Sequence, residues 1–219
     1  MPRLTVAAAS PADRQRPVEA GRTALLSVDM QNAEWTPQRA AAAREGRGDK
    51  RAYVERLTDV VLPNQTRLQD AARRAGLEVI YTVIEALTQD GRDIGLDHKI
   101  SGLFVPKGAF EAGVIATVAP RGDEIVIPKT ASGVFNATNI EYVLRNLGVE
   151  YLVVYGVSTD QCVETTVRDA CDRGFLVTLV PDCCAAYDAA RHDRAIDALD
   201  GHYARCRTTD ALIAEFADL

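Results

Sequence analysis

What the chain lacks narrows its identity first. No apolar run approaches the roughly 18 residues that a membrane-spanning helix needs. The N-terminus, Met1-Pro2-Arg3-Leu4 onward, also lacks the basic, apolar and small-residue order of a secretory signal. A cytoplasmic protein with no membrane partner is expected. Positive charge is scarce as well: 25 Lys and Arg stand against 31 Asp and Glu, a net charge of -6. Binding to phosphate backbones usually comes with clustered cations, so a nucleic-acid partner is not expected and a small-molecule substrate is. The five cysteines, at 162, 171, 183, 184 and 206, form no C-x-x-C pair, which argues against both a disulfide framework and a four-thiolate zinc site.

A βα rhythm is what the chain has in plenty. Short apolar runs rich in Val and Ile lie at 23–28, 77–84, 125–128, 151–155, 175–180 and 204–207, with helical patterns between most of them. Such runs fit a parallel sheet covered on both faces, so a three-layer α/β/α domain is predicted over 23–219. The first 22 residues, rich in Ala, Pro and Arg and without periodicity, read as a loosely held N-terminal arm. Residues 51–75 are helical in pattern, with Pro63 marking a kink or a new start. Helix starts are predicted at Asn136 or Thr138, at Thr159 or Asp160, and at Asp188. Residues 85–121 break the rhythm. Rich in glycine and without a long periodic element, they read as a substrate-side wall, a subunit contact or a tolerated insertion.

In open α/β sheets ligands bind outside the carboxyl ends of the strands, so polar residues that end apolar strands carry the most information. Asp29 follows Ala24-Leu25-Leu26-Ser27-Val28, and Lys129 follows Ile125-Val126-Ile127-Pro128. The third residue is Cys162, delivered by the turn Gly156-Val157-Ser158-Thr159-Asp160-Gln161-Cys162 into the first turn of a helix. A helix start or a neighbouring cation can lower a cysteine pKa from ~8.5 to between roughly 3.5 and 7.5. A carboxylate that moves a proton, an ammonium that supports it and a sulfur nucleophile together suit amide hydrolysis through a thioester. Backbone N–H groups in the turn before Cys162 and at Cys162 itself would supply the oxyanion donors. Each residue also has an inert reading: a charge that bounds a strand, or a cysteine that merely packs. The other four cysteines are expected to pack, with Cys171 on the far side of its helix and Cys183 and Cys184 either packed or lining the pocket edge.

With these residues in hand, the chain resembles the isochorismatase-like cysteine hydrolases. The matching stretches are Ala24 through Asn32, Ile127 through Phe135 with Thr138, and Tyr155 through Gly174, within a similarity of order and spacing that covers about 22–215. The resemblance implies a six-stranded parallel sheet in the order 3-2-1-4-5-6, a homodimer or homotetramer, and an Asp-Lys-Cys triad that falls on Asp29, Lys129 and Cys162. It further implies a non-proline cis peptide between Val157 and Ser158, with the Ser158 and Cys162 N–H groups as oxyanion hole. Isochorismatases proper lack the nucleophilic cysteine, so Cys162 points to the amidohydrolase branch. The metal of nicotinamidases sits on an Asp-x-His pair, but here the second strand ends in Val83-Ile84-Glu85, and neither metal nor cofactor is expected. Within the amidohydrolase branch, carbamoyl-sarcosine, ureidoacrylate, biuret, maleamate and lactam substrates all remain open. Gln31, Trp35, Glu85 and Phe135 are candidate substrate-binding residues, and Glu34 is a further acceptor for an amide N–H. Vinyl ether hydrolysis and a non-enzymatic role as redox sensor or ligand-binding module are the alternatives.

Overall fold

The structure is a computed structural model that describes residues 9–219. After β1 (Thr23–Val28) come α1 (Pro37–Arg44), α2 (Arg51–Arg56), α3 (Leu62–Arg74), β2 (Glu78–Ile84), α4 (Leu96–Ser101), β3 (Val126–Lys129), α5 (Val134–Ala137) and α6 (Ile140–Asn146). The rest of the chain adds β4 (Tyr151–Val157), α7 (Glu164–Asp172), β5 (Leu176–Ala185), α8 (Ala189–Leu199), β6 (Arg205–Cys206) and α9 (Thr209–Phe216). All strands are parallel and ordered β3-β2-β1-β4-β5-β6, with helices on both faces, as expected. The central strands β1 and β4 are buried along their whole length, which is why they read as unbroken apolar runs rather than alternating ones. No described helix is long and apolar enough to cross a membrane.

Several elements differ from their sequence pattern for physical reasons. The strand expected to end at Val180 runs on to Ala185, because its register against β4 shifts between Val154 and Gly156. That irregularity accommodates Pro181, which has no N–H for a regular ladder. At the helical stretch 51–75, a π turn over Leu57–Val61 joins α2 to α3 without a break, and Pro63, which has no N–H to donate, follows directly on that widened turn. Thr138 accepts from the Ile140 N–H (3.1 Å) and Asp188 from that of Ala190 (2.6 Å), as capping predicts. Thr159 and Asp160 do not cap. Their side chains turn to His192 and Arg191 instead.

The described part of the N-terminal arm is held more firmly than its composition suggests. Val18 is buried in the main core, its N–H donates to Glu215 Oε1 (2.6 Å), and Tyr151 Oη donates to Glu19 Oε1 (2.6 Å). The 85–121 excursion is likewise anchored, and its returning limb binds the segment just after β1. Ile115 N–H donates to Met30 O (2.9 Å) and Asn32 N–H to Gly113 O (2.8 Å), while Gln31 forms an isolated bridge with Val114.

A second apolar cluster forms at the carboxyl rim of the sheet. It gathers Met30, Val157 and Ala185 from the strand ends with Tyr53, Val54 and Leu57 from α2 and the π turn, so α1 and α2 roof the rim.

Candidate active site

Two central strands set the site. Strand order reverses between β1 and β4, and their carboxyl ends flank this switch point, where open α/β sheets bind ligands. Asp29 leaves β1 with a left-handed backbone (φ 57°), rare for a residue other than glycine and found where the surroundings enforce it. Its N–H donates to Thr82 O (2.9 Å), and Thr82 Oγ1 donates to its Oδ1 (3.2 Å). Across the switch point Gly156 pairs with Val28 and has φ +132°, and a Cβ on it would come within 2.1 Å of Val28 O. Glycine is therefore what lets β4 lie against the residue before Asp29. The following Val157–Ser158 peptide is cis.

Lys129 reaches Asp29 and Cys162 from β3, with β2 lying between it and β1. At about 4.8 Å per strand this is a distance that a long side chain can cover. Its ammonium lies 2.9 Å from Asp29 Oδ2 and 3.5 Å from Cys162 Sγ, and it donates to Ala131 O (2.9 Å) and Ser132 O (3.1 Å). Asp29 is 2%, Lys129 0% and Cys162 5% exposed, so an acid, a base and a thiol meet in a nearly dry place. Burial works against the Lys129 ammonium, but Asp29 and then Cys162 outweigh it, and its pKa is held above the ordinary lysine value. The thiol goes the other way: burial, reinforced by the Asp29 charge and only partly opposed by Lys129, pushes Cys162 up to about 12. The lowered thiol pKa suggested by the helix start is thus overridden, and the resting sulfur keeps its proton.

Four residues expected to bind substrate have other partners. Gln31 is 2% exposed and fully engaged: its Nε2 donates to Ile84 O (3.1 Å) and Glu111 O (3.1 Å), and its Oε1 accepts from Ile84 N–H (2.7 Å). Glu85 Oε1 accepts from Gly108 N–H (2.7 Å) and so holds the excursion. Phe135 is buried in the main core, 5.9 Å from the Phe175 ring and beneath Arg173. Trp35 remains half-buried against the rim cluster, its Nε1 donating to Thr58 Oγ1 (2.9 Å). Gln31 and Glu85, polar residues near strand ends, thus tie the excursion to the sheet. Cys183 and Cys184 are wholly buried in the core, and Cys171 lies at the far end of α7 near Arg14, as expected.

Sequence reading missed His192 and the side chains gathered on Glu34, the further acceptor named above. His192 on α8 has its Nδ1 2.8 Å from Thr159 Oγ1 and its Nε2 3.2 Å from Arg56 Nη2. A guanidinium can only donate, so Nε2 accepts and the Nδ1–H is directed at the turn that carries Cys162. The second group surrounds Glu34, whose Oε2 accepts from Tyr53 Oη (2.8 Å) and whose pKa burial raises. Tyr53 meets Tyr187 edge-on at 4.8 Å, and Lys50 Nζ lies 3.3 Å over the Tyr187 ring. No local pattern announces either group, since each is assembled from elements far apart in sequence.

The family model of the isochorismatase domain matches residues 23–211, from the first residue of β1 into α9. The chain belongs to the isochorismatase family. This isochorismatase-family chain is 28% identical over 218 residues to the ureidoacrylate amidohydrolase of Variovorax paradoxus, covering 91% of this chain and 83% of that one. It is also 30% identical over 159 residues to the N-carbamoylsarcosine amidase of an Arthrobacter species, covering 70% of this chain and 56% of that protein. Among solved structures, a cysteine hydrolase from Pseudomonas syringae pv. phaseolicola superposes with a TM-score of 0.79 at 24% identity, over 93% of this chain and 96% of that one. At that identity the superposition speaks for the fold, which is the doubly wound sheet seen here.

Proposed function

We propose that this chain is a cysteine amidohydrolase that cleaves a C–N bond in a small ureido or carbamoyl compound through an acyl-enzyme on Cys162. The observation that carries the reading is the Lys129 ammonium in simultaneous contact with Asp29 and Cys162. The relatives named as ureidoacrylate amidohydrolase and N-carbamoylsarcosine amidase support the substrate class. Because the resting thiol is protonated, the first step is proton transfer from Cys162 to Asp29 as substrate arrives, rather than attack by a preformed thiolate. The thiolate adds to the carbonyl carbon, and the charge that develops on oxygen is met by the Ser158 and Cys162 N–H groups. Collapse returns the proton from Asp29 to the leaving nitrogen, so the C–N bond breaks and a thioester remains. Water, deprotonated by Asp29, then hydrolyses the thioester, and the sulfur takes its proton back. Lys129 keeps its charge throughout, and no step calls on a metal. Among the described residues no cluster of three or more His, Cys, Asp or Glu side chains is arranged to hold one.

Ammonia release from ureido acids, carbamoyl amino acids and simple carboxamides tests the proposal. Turnover of a ureido or carbamoyl compound should fall at least about a thousandfold in Cys162→Ala, by the scale of nucleophile removal in other hydrolases. Mass spectrometry of the quenched wild-type enzyme should find the acyl adduct on the peptide containing Cys162. Undiminished turnover in Cys162→Ala would remove the covalent mechanism.

A further inference from the structure

One buried polar side chain beside the triad takes no part in this chemistry. His98, on α4 in the middle of the 85–121 excursion, is 1% exposed, and neither its Nδ1 nor its Nε2 has a hydrogen-bond partner in the protein. Buried side-chain polar atoms find partners in the large majority of cases, and an imidazole has one donor and one acceptor to satisfy. The rest of this excursion meets that demand. Asp93 accepts from Leu87 N–H (2.7 Å), Glu85 from Gly108 N–H (2.7 Å), and Gln31 binds Glu111 O (3.1 Å). His98 is the imidazole left over.

Its position is fixed to the triad through the backbone. Gly95, just before α4, donates its N–H to Thr130 O (2.8 Å), one residue past Lys129, and a Cβ on it would meet Ala131 at 3.5 Å. Ala131 O is itself one of the acceptors that hold the Lys129 ammonium. On the other side Leu103 N–H closes the turn onto His98 O (2.9 Å). The charges of Lys129 and Asp29 both act on the ring. Burial, followed by Lys129, lowers its pKa, so at neutral pH the imidazole is uncharged, with one nitrogen that donates and one that accepts.

We propose that His98 is a substrate-binding residue, whose accepting ring nitrogen takes a hydrogen bond from an N–H of the ureido or carbamoyl group of the substrate. That group presents N–H donors beside its carbonyl, and a neutral imidazole has one nitrogen that can accept from them. A compound offering only an ester or ether at the same place cannot supply the N–H. The assignment rests on the amidohydrolase reading above and deepens it: the 85–121 excursion reads the nitrogen side of the scissile group, while the Cys162 turn holds the oxygen.

The experiment compares wild type, His98→Phe, which keeps a flat ring and removes both nitrogens, and His98→Asn, which keeps one donor and one acceptor. The probe is whichever ureido or carbamoyl compound wild type hydrolyses. The expected result is a rise in KM of about tenfold in His98→Phe, the scale of a lost neutral hydrogen bond, with partial recovery in His98→Asn. A His98→Phe protein that melts like wild type and keeps its KM and kcat overturns the proposal. Should that variant fail to fold, imidazole nitrogen resonances of the Cys162→Ala protein decide: they move on saturation with the same compound if His98 binds it, and stay still if the ring only packs. If wild type hydrolyses no ureido or carbamoyl compound at all, the functional reading falls and this one with it. That outcome is distinct from an active enzyme indifferent to position 98.

Discussion

Gly156 sits so close to Val28 that a side chain on it would overlap the Val28 carbonyl oxygen, at 2.1 Å. This contact draws the end of β4 against the end of β1 and so sets the Cys162 turn beside Asp29. Gly156→Ala therefore has to separate two central strands and also adopt φ near +132° with a Cβ. Expected is a loss of at least about 3 kcal/mol in chemical unfolding, as for other severe backbone conflicts, or no folded protein. A variant that folds should also be inactive. Unfolding at the wild-type denaturant midpoint would show that the strands do not approach as described.

The Asp29–Lys129 pair makes an asymmetric prediction. Both groups are almost fully buried, so removing one partner leaves the other charge without compensation, at a cost of about 3–5 kcal/mol. Lys129→Met should be destabilised on that scale, whereas the double variant Asp29→Asn, Lys129→Met should recover much of the loss although it remains inactive. Thermal and denaturant unfolding of the two singles and the double form a cycle that measures this. Strict additivity of the two single effects would contradict a buried, directly paired contact.

His192 should make the fold acid-sensitive in a defined window. Burial first, and then the Arg56 charge, lower its pKa from the ordinary value to about 4, with the Asp193 and Asp160 charges opposing. A base whose folded pKa lies below its unfolded one contributes stability that is complete above the unfolded value, near 6.5, and lost as pH falls toward 4. The loss should amount to about 3 kcal/mol, at about 1.4 kcal/mol for each tenfold change in proton affinity. In His192→Gln the fall in melting temperature between pH 6.5 and 4 should be visibly shallower than in wild type. Parallel curves for the two proteins would rule out a neutral His192 bridging Arg56 and Thr159.

The sheet and the meeting of Asp29, Lys129 and Cys162 at its rim could be read from sequence because both are written locally. Runs such as Leu25-Leu26-Ser27-Val28 and Tyr151 through Tyr155 are apolar throughout because they are buried on both faces, and each triad member stands at or just beyond the end of such a run. The course of β5 beyond Val180 was not legible, since Pro181 ends a regular strand pattern and only the shifted register against β4 lets the strand continue. The partners of the candidate substrate-side residues were hidden for a related reason. Gln31 and Glu85 look like ligand-binding groups in sequence, yet the long excursion brings its own backbone to them and takes up their hydrogen-bonding capacity.

By itself, the sequence determined the parallel α/β architecture, the family and the placing of Asp29, Lys129 and Cys162 at one rim, because strand-end polarity and a glycine-led turn are properties of neighbouring residues. Only the tertiary structure decided that the Cys162 thiol rests protonated, that His192 steadies its turn and that His98 is buried beside the triad without a partner. Burial and hydrogen-bond satisfaction depend on what distant segments bring together, and here those segments lie from 33 to 136 residues apart.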